Sequence, residues 1–337
     1  MADRIKARYR KLVFLTWFLT LDLIMFGAFV RLTDSGLGCP DWPGCYGSIS
    51  PIGASGHITQ ALEAMPHGAV SFGKAWIEMI HRYVGSLLGL MIIGIVVMAW
   101  RHRRVLGSSP RLATVALIAV CIQGAFGAWT VTHRLMPIVV TTHLLGGMLL
   151  LALLTWLAAR EKGHRPIDAS AAKWLPWMAG GLALLFAQIL LGGWVSTNYA
   201  ALACMDFPMC HGEWVPTMDF KSGYSLIRAL GELPSGEMIS QYALTAIHWV
   251  HRNFAFIVFA YLVPLAWRMR DEPGLRAPCN LLLVLLLAQL FTGLTTIFFQ
   301  WPLLIAVLHN GGAAGLVLAS TTLMVRLSRA HRSKIPT

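Results

Sequence analysis

The fold is decided by two stretches with the same pattern: GAFVRLTDSGLGCPDWPGC at residues 27–45 and GGWVSTNYAALACMDFPMC at residues 192–210. They align without a gap and share Cys-x-Asp-x-Pro-x-Cys. The similarity continues downstream, where Gln123–Gly127 corresponds to Gln289–Gly293. Chance similarity between apolar helices does not explain matches at Cys, Asp, Pro and Gln. The sequence therefore predicts an internal repeat of two similar halves.

Long apolar runs surround these stretches. Of the 337 residues, 56% are hydrophobic and 12% are charged, whereas a soluble protein carries about 25% charged residues. Each run has the ~20 residues that a helix needs to cross the hydrocarbon core. The composition excludes a water-soluble core and predicts an all-α integral membrane protein. Its eight predicted transmembrane helices span residues 12–31, 74–100, 111–132, 138–160, 173–195, 241–267, 279–299 and 303–326.

The connections between these helices indicate how the chain is oriented. Two loops, 32–73 and 196–240, are long and carry most of the acidic residues, whereas the other turns and both tails are basic. The positive-inside rule therefore predicts cytoplasmic termini and outer long loops. Since each half has four helices, we expect two tandem four-helix bundles in parallel repeat, with halves at 1–165 and 166–337.

The formal net charge of +12 is explained by these basic turns and tails. We therefore predict no nucleic-acid partner. The first apolar run is too long for a signal-peptide core, and no Ala-x-Ala cleavage pattern follows it. We therefore expect a retained first helix in a bacterial inner membrane, surrounded by lipid. Homo-oligomer formation is compatible with the sequence.

Histidines inside the even-numbered helices are the strongest functional signal, because ionisable groups in a membrane are costly. His81, His143, His251 and His309 each lie about two turns inside their helix start, so each half presents two imidazoles at matching depth. Two imidazoles can supply both axial ligands of a haem iron. Hydrogen-bonded core histidines and a zinc site remain alternatives, although zinc requires three or four ligands.

The halves differ at one informative position, three residues before the first predicted ligand histidine. Glu78 lies one turn before His81 on the same helix face, whereas His248 takes the equivalent place before His251. A buried carboxylate beside a macrocycle is a candidate proton acceptor or cation stabiliser. The alternative is an interfacial carboxylate paired with Arg82 or Lys74. The asymmetry predicts one catalytic site and one electron-transfer site.

Several other polar side chains have predicted roles. Arg82 and Arg252 follow the histidines and are candidate contacts for haem propionates, with snorkelling to the interface as the alternative. The glutamines Gln123, Gln188 and Gln289 are predicted to form interhelical hydrogen bonds. Asp22, in the first helix, has no counterpart in the second half.

The six cysteines fall into two groups. Cys121 and Cys279 lie in apolar helices and are predicted to be small core residues. Four cysteines lie in the long loops, where an oxidising compartment favours disulfides. We predict the pairs Cys39–Cys45 and Cys204–Cys210; a metal site that uses Asp41 or Asp206 is the alternative.

Taken together, five motifs resemble the haem A synthase family, in the form with cysteine pairs in both outer loops. The resemblance covers essentially the whole chain. The motifs are VRLTDSGLGCPDWPGC at 30–45, EMIHRYVGS at 78–86, TTHLLGG at 141–147, HWVHRNFA at 248–255 and LHNGGAAG at 308–315.

The resemblance implies a reaction: a ring methyl of haem O is oxidised by two successive hydroxylations, and loss of water leaves the formyl group of haem A for cytochrome oxidase. It implies that His81 and His143 bind the substrate haem O, that Glu78 is catalytic, and that His251 and His309 bind a haem b cofactor. An enzyme that supplies haem O is the implied partner, and the electron donor stays open. A di-haem b, quinol-linked electron carrier and a parallel-repeat transporter are the rival functions.

Overall fold

A computed structural model describes residues 1–66, 68–107, 109–162 and 167–332 of the chain. Within these ranges the chain forms helices and no β-strand. Eight of the helices are long and apolar enough to cross a membrane. They are α1 (Ala2–Leu32), α2 (Phe72–Arg101), α3 (Arg111–Thr132), α4 (Pro137–Glu161), α5 (Leu175–Thr197), α6 (Gln241–Met269), α7 (Arg276–Phe298) and α8 (Leu303–Arg332). The predicted all-α membrane fold with eight spanning helices is confirmed.

Helices α1 and α8 extend beyond their predicted ends. Helix α1 begins at Ala2 rather than at residue 12, and α8 continues to Arg332 rather than to 326. Apolar runs mark only the part of a helix that lies in lipid, whereas alanine and arginine also favour helix in water. Arg329 lies in the extended part of α8, and its Nη2 donates to the carbonyls of Ala159 and Arg160 at 3.1 Å. Those carbonyls lie at the end of α4 and would otherwise lack a helical partner.

The four helices of each half form a closed ring. Helix α1 packs on α2, α2 on α3, α3 on α4, and α4 returns to α1; α5 to α8 contact one another in the same order. The halves meet through the first and fourth helices of each ring, with α1 against α8, α4 against α5, and α4 against α8. This arrangement agrees with the sequence repeat. The parallel insertion stays a prediction, and the predicted boundary at 165/166 lies outside the described residues.

The two long loops, 32–73 and 196–240, adopt equivalent turns. The Asp41 carboxylate accepts hydrogen bonds from two backbone N–H groups that follow Cys45, at 2.6 and 2.8 Å. Asp206 accepts from the N–H groups of His211 and Gly212, both at 2.8 Å. Burial by itself would raise the pKa of Asp206, but these donors outweigh it and hold the pKa below its usual value. Both aspartates therefore serve to shape their loops.

The loop cysteines are bonded as predicted, Cys39 to Cys45 and Cys204 to Cys210. Cys279 is buried in α7, in agreement with its predicted core position. The same prediction for Cys121 is wrong, because this thiol is exposed on the surface of α3. An apolar helix in a membrane has an exposed face that is as hydrophobic as its core face, so the sequence pattern did not distinguish the two.

Candidate functional site

A cavity of about 580 Å³ lies among the helices of the first half. His81, on α2, and His143, on α4, both line it, and Glu78 lies in the same wall. Each of these histidines lies in the second or third turn of its helix, as the sequence predicted. Asn310 of α8 also lines the cavity, so the second half contributes to its wall.

A glycine on the neighbouring helix faces each of the four predicted ligand histidines. A Cβ built on that glycine would lie between 2.9 and 3.3 Å from the Cε1 atom of the ring, tighter than ordinary van der Waals contact. The imidazoles therefore fit only because no side chain stands opposite them. The pairs are Gly27 with His81, Gly127 with His143, Gly192 with His251, and Gly293 with His309.

The three glutamines form the interhelical bonds that the sequence predicted. Each donates from its amide nitrogen to the backbone carbonyl of a histidine on the next spanning helix. The distances are 2.7 Å from Gln123 to His143, 3.1 Å from Gln188 to His251 and 2.9 Å from Gln289 to His309. The helix turns that carry three of the four histidines are thereby fixed to an adjacent helix.

The first-half site has the features that a planar, metal-centred ligand requires. Among the described residues, the Nδ1 atoms of His81 and His143 are buried and have no hydrogen-bond partner. Two imidazoles, an apolar wall and small neighbours fit a haem with one axial ligand from each helix. Within the same described ranges, no three His, Cys, Asp or Glu side chains come together to hold a metal ion. The zinc alternative therefore has no ligand set in that part of the chain.

Glu78 is buried, with 4% of its surface exposed. Its Oε2 accepts a hydrogen bond from the backbone N–H of Cys39 at 2.9 Å, and its Oε1 forms an ion pair with Arg82. The pairing with Arg82, which the sequence offered as the alternative, is therefore present. The carboxylate nevertheless lines the cavity, and its catalytic role stays a prediction.

His248 occupies the place that Glu78 has in the first half. Its Nδ1 accepts a hydrogen bond from the backbone N–H of Cys204 at 3.1 Å, just as Glu78 accepts from Cys39. The two residues thus attach equivalent loops to equivalent helices. His248 is engaged with the loop, which favours His251 as the second-half ligand.

The two arginines after the histidines hold the outer loops. Arg82 donates from Nη1 to the carbonyls of Asp41 and Gly44 at 2.9 and 2.6 Å. Arg252 donates from Nη2 to two loop carbonyls at 3.1 and 3.2 Å. Among the described residues, Nη1 of Arg252 is buried without a partner. Contact with a propionate stays a prediction for both residues, and only Arg252 keeps an unpaired terminal nitrogen for it.

Sequence reasoning missed Arg31, which lines the cavity where the halves meet. Its Nη2 donates to the carbonyl of Ser196 at 2.7 Å, and its guanidinium lies 4.0 Å from the ring centre of Tyr199. The Tyr199 hydroxyl in turn donates to Asp34 at 2.6 Å. Burial raises the pKa of Tyr199, so this hydroxyl keeps its proton. Arg31 aligns with Ser196 and Asp34 aligns with Tyr199 in the opening repeat, so each contact joins equivalent positions of the two halves.

Comparison with known proteins identifies the family. The family model COX15-CtaA, Cytochrome oxidase assembly protein, matches residues 10–321. A protein of Shewanella oneidensis named Heme A synthase is 40% identical over 92% of this chain and 95% of its own length. Proteins with the same name from Halalkalibacterium halodurans and Sphingopyxis alaskensis are 27% and 28% identical over 85% and 92% of this chain, and over 86% and 89% of their own lengths.

These relatives are bacterial, and the described part of the chain has eight helices that can span a membrane. It is a multi-pass protein of the bacterial inner membrane. The match covers most of the chain, including both loops and all four histidines that the sequence singled out. This chain therefore belongs to the COX15-CtaA family of cytochrome oxidase assembly proteins.

Proposed function

We propose that this protein is a haem A synthase, a membrane oxidoreductase that converts a ring methyl of haem O to the formyl group of haem A. The family membership and the names of its relatives support this reaction. The observation that carries it is the first-half cavity, where two histidines and one carboxylate share a wall.

Substrate haem O binds in the first half, residues 1–165, with His81 and His143 as axial ligands. The cavity volume of about 580 Å³ lies within the range of small-molecule sites. Apolar residues dominate its wall, which suits a porphyrin with a long hydrocarbon tail. The glycines Gly27 and Gly127 leave the space in which the two rings stand.

Glu78 is the catalytic residue. Each of the two successive hydroxylations replaces one hydrogen of the ring methyl by a hydroxyl group, which requires a two-electron oxidant and an oxygen source and builds positive charge beside the macrocycle. Loss of water from the resulting geminal diol then leaves the formyl group without further oxidation. A fixed carboxylate accepts the proton and lowers the charge build-up. Arg82 and the N–H of Cys39 hold the two oxygens of Glu78 in position, so the group is already oriented when substrate binds.

The second half, residues 166–337, holds a haem b cofactor through His251 and His309. Gly192 and Gly293 leave space for these two imidazole rings, which supports the assignment. A haem b in that place supplies one-electron redox chemistry. Since His248 replaces the carboxylate there, the second half would serve electron transfer and would not act on a methyl group.

The protein works in the membrane beside the enzyme that makes haem O, with both termini cytoplasmic and both disulfide loops on the outer face. The basic turns and acidic loops support this orientation.

Haem analysis tests the proposal. The chain is expressed in a host that makes haem O but no haem A, and total haem is extracted and identified by mass. We expect haem A to appear only when the chain is present, with haem b copurifying. Haem b without haem A would instead indicate an electron carrier, and protein without haem absorbance would indicate a transporter.

A further inference from the structure

The ligand histidines of the second half each have a polar side chain beside Nδ1. The Thr292 hydroxyl lies 2.9 Å from Nδ1 of His309. The Gln188 amide nitrogen lies 3.1 Å from Nδ1 of His251. Both partners come from a neighbouring helix, α7 and α5 respectively, so they can fix the orientation of a ring that projects from α8 or α6.

The first half lacks this arrangement. Among the described residues, Nδ1 of His81 and Nδ1 of His143 have no hydrogen-bond partner. The repeat aligns Gln188 with Leu23 and Thr292 with Phe126. At both places, a side chain that can form a hydrogen bond in the second half is apolar in the first.

The Thr292 contact also selects a tautomer. The hydroxyl lies 3.0 and 3.2 Å from the backbone carbonyls of Ala288 and Gln289, two acceptors that compete for its only hydrogen. The remaining contact is satisfied when Nδ1 of His309 carries a hydrogen and donates to Thr292. Nε2 then presents its lone pair, which is the form that binds a metal.

The Gln188 contact differs from that of Thr292. Its amide nitrogen lies 3.1 Å from both Nδ1 and the backbone carbonyl of His251. A turned amide would place Oε1 against that carbonyl oxygen, so Gln188 keeps its nitrogen there and supplies no acceptor at Nδ1.

We propose that Thr292 is a positioning residue that makes the second half retain its haem, whereas Phe126, at the same place of the repeat, leaves the His143 imidazole of the first half unanchored so that haem is exchanged there. The inference rests on the proposed function, in which one haem stays and the other enters as substrate and leaves as product. Partners of this kind orient a metal-bound histidine, and their loss typically lowers metal affinity about 10- to 100-fold.

A threonine hydroxyl can stabilise its own helix by donating a hydrogen bond to a backbone carbonyl one turn earlier. The test therefore needs a control threonine that makes this bond but contacts no histidine. Thr295 lies one turn further along α7, and its hydroxyl donates to the carbonyl of Phe291 at 2.7 Å. Thr295→Val removes the same group from the same helix without touching a histidine. Thr292→Ser keeps the hydroxyl and should rescue the loss caused by Thr292→Val.

The experiment measures the release of haem b from purified holoenzyme to excess apomyoglobin, together with the midpoint potential of the bound haem. For Thr292→Val we expect release faster by about 10-fold or more. We also expect a higher potential, because an unanchored imidazole donates less electron density to ferric iron. Thr292→Ser and Thr295→Val should behave like the parent. Release and potential unchanged in Thr292→Val would overturn the inference.

The parent protein supplies a second measurement. Haem O and haem A should transfer to apomyoglobin much faster than haem b, and equal rates would contradict the proposed difference between the halves. If the parent binds haem b and makes haem A while Thr292→Val retains haem normally, only this inference fails. Absence of haem A would instead reject the proposed function.

Discussion

Glu78 is a residue at which the two halves differ chemically beside a predicted ligand histidine. Glu78 and His248 make the same hydrogen bond to the first cysteine of their loop, so both serve the structure. Only Glu78 also brings a negative charge to a cavity wall. The hydrogen bond to the loop explains why both positions carry a hydrogen-bond acceptor. The negative charge of Glu78 is present in the first half and has no equivalent at His248.

Glu78→Gln separates these two roles. The amide oxygen can still accept from Cys39, but the negative charge is lost. We expect the variant to bind haem O and to keep the haem b spectrum, while haem A formation falls about 100- to 1000-fold, as when one electrostatic group is removed from an active site. The measurement is haem A formed per bound haem O.

Conversion of haem O at the parent rate by Glu78→Gln would leave Glu78 as the ion-pair partner of Arg82 and nothing more. Loss of haem O binding with an intact haem b spectrum would make Glu78 a binding residue.

His248, His251 and His309 give a second prediction at this scale. His251→Ala or His309→Ala should strip haem b, because each removes an axial ligand. His248→Ala should retain most of it, since the Nδ1 of His248 accepts from Cys204 and faces the loop. Absorbance of haem b per protein measures all three, and equal loss in the three variants would refute the ligand assignment.

The sequence predicted which residues matter but not all of their contacts. The histidines, Glu78 and the glutamines stood out because polar groups are rare in apolar helices. Arg31 did not, because its partners Ser196 and Tyr199 come from the other half and depend on how the two rings pack. The alignment pairs Arg31 with Ser196, but it does not show that aligned positions of the two halves meet.

At the scale of helices, the close approach of glycines to imidazoles shapes both sites. Gly27 of α1 and Gly192 of α5 are the same position of the repeat, and each faces the first ligand histidine of its half. Both glycines lie within the stretches that revealed the repeat, at its first residue. The repeat therefore identified both glycines as equivalent positions, but only the packing of neighbouring helices shows which side chain each glycine faces.

Gly27→Ala tests this packing. The new Cβ would lie 3.0 Å from Cε1 of His81, so the ring must shift from its position. We expect weaker haem O binding with unchanged haem b content, since the second half is untouched. Alanine also favours a helix over glycine by about 0.5–1 kcal/mol, so the helix itself should not be lost.

Gly89→Ala is the matched control, because it lies on the helix of His81 and a Cβ there meets nothing within 4 Å. Its haem O affinity should equal that of the parent. The packing argument is wrong if Gly27→Ala also binds haem O with parental affinity by titration.

Helix positions were predicted well and helix ends were not. All eight apolar runs correspond to helices, because a chain in lipid must satisfy its backbone hydrogen bonds internally. The hydrophobic pattern did not predict burial correctly, because Cys121 was expected in the core and is exposed. Hydrophobicity identifies what lies in the membrane, but it does not separate residues that face lipid from residues that face the core.

In the whole molecule, the two equivalent rings are proposed to have different tasks. They meet through α1, α4, α5 and α8, and the first-half cavity reaches Asn310, the neighbour of His309 in sequence. The proposed substrate site therefore extends to the helix that carries a proposed haem b ligand. The repeat predicted two similar halves, and the exchange of Glu78 for His248 predicted that their tasks differ.

The central claim is that the first half holds haem O and the second half holds haem b. The most direct test is to express His143→Ala and His309→Ala with a haem O source, purify both, and quantify each bound haem by mass. We expect His143→Ala to lose haem O and haem A but to keep haem b, and His309→Ala to lose haem b but to keep haem O. Loss of both haems in equal proportion from each variant, or the opposite pattern, would contradict it.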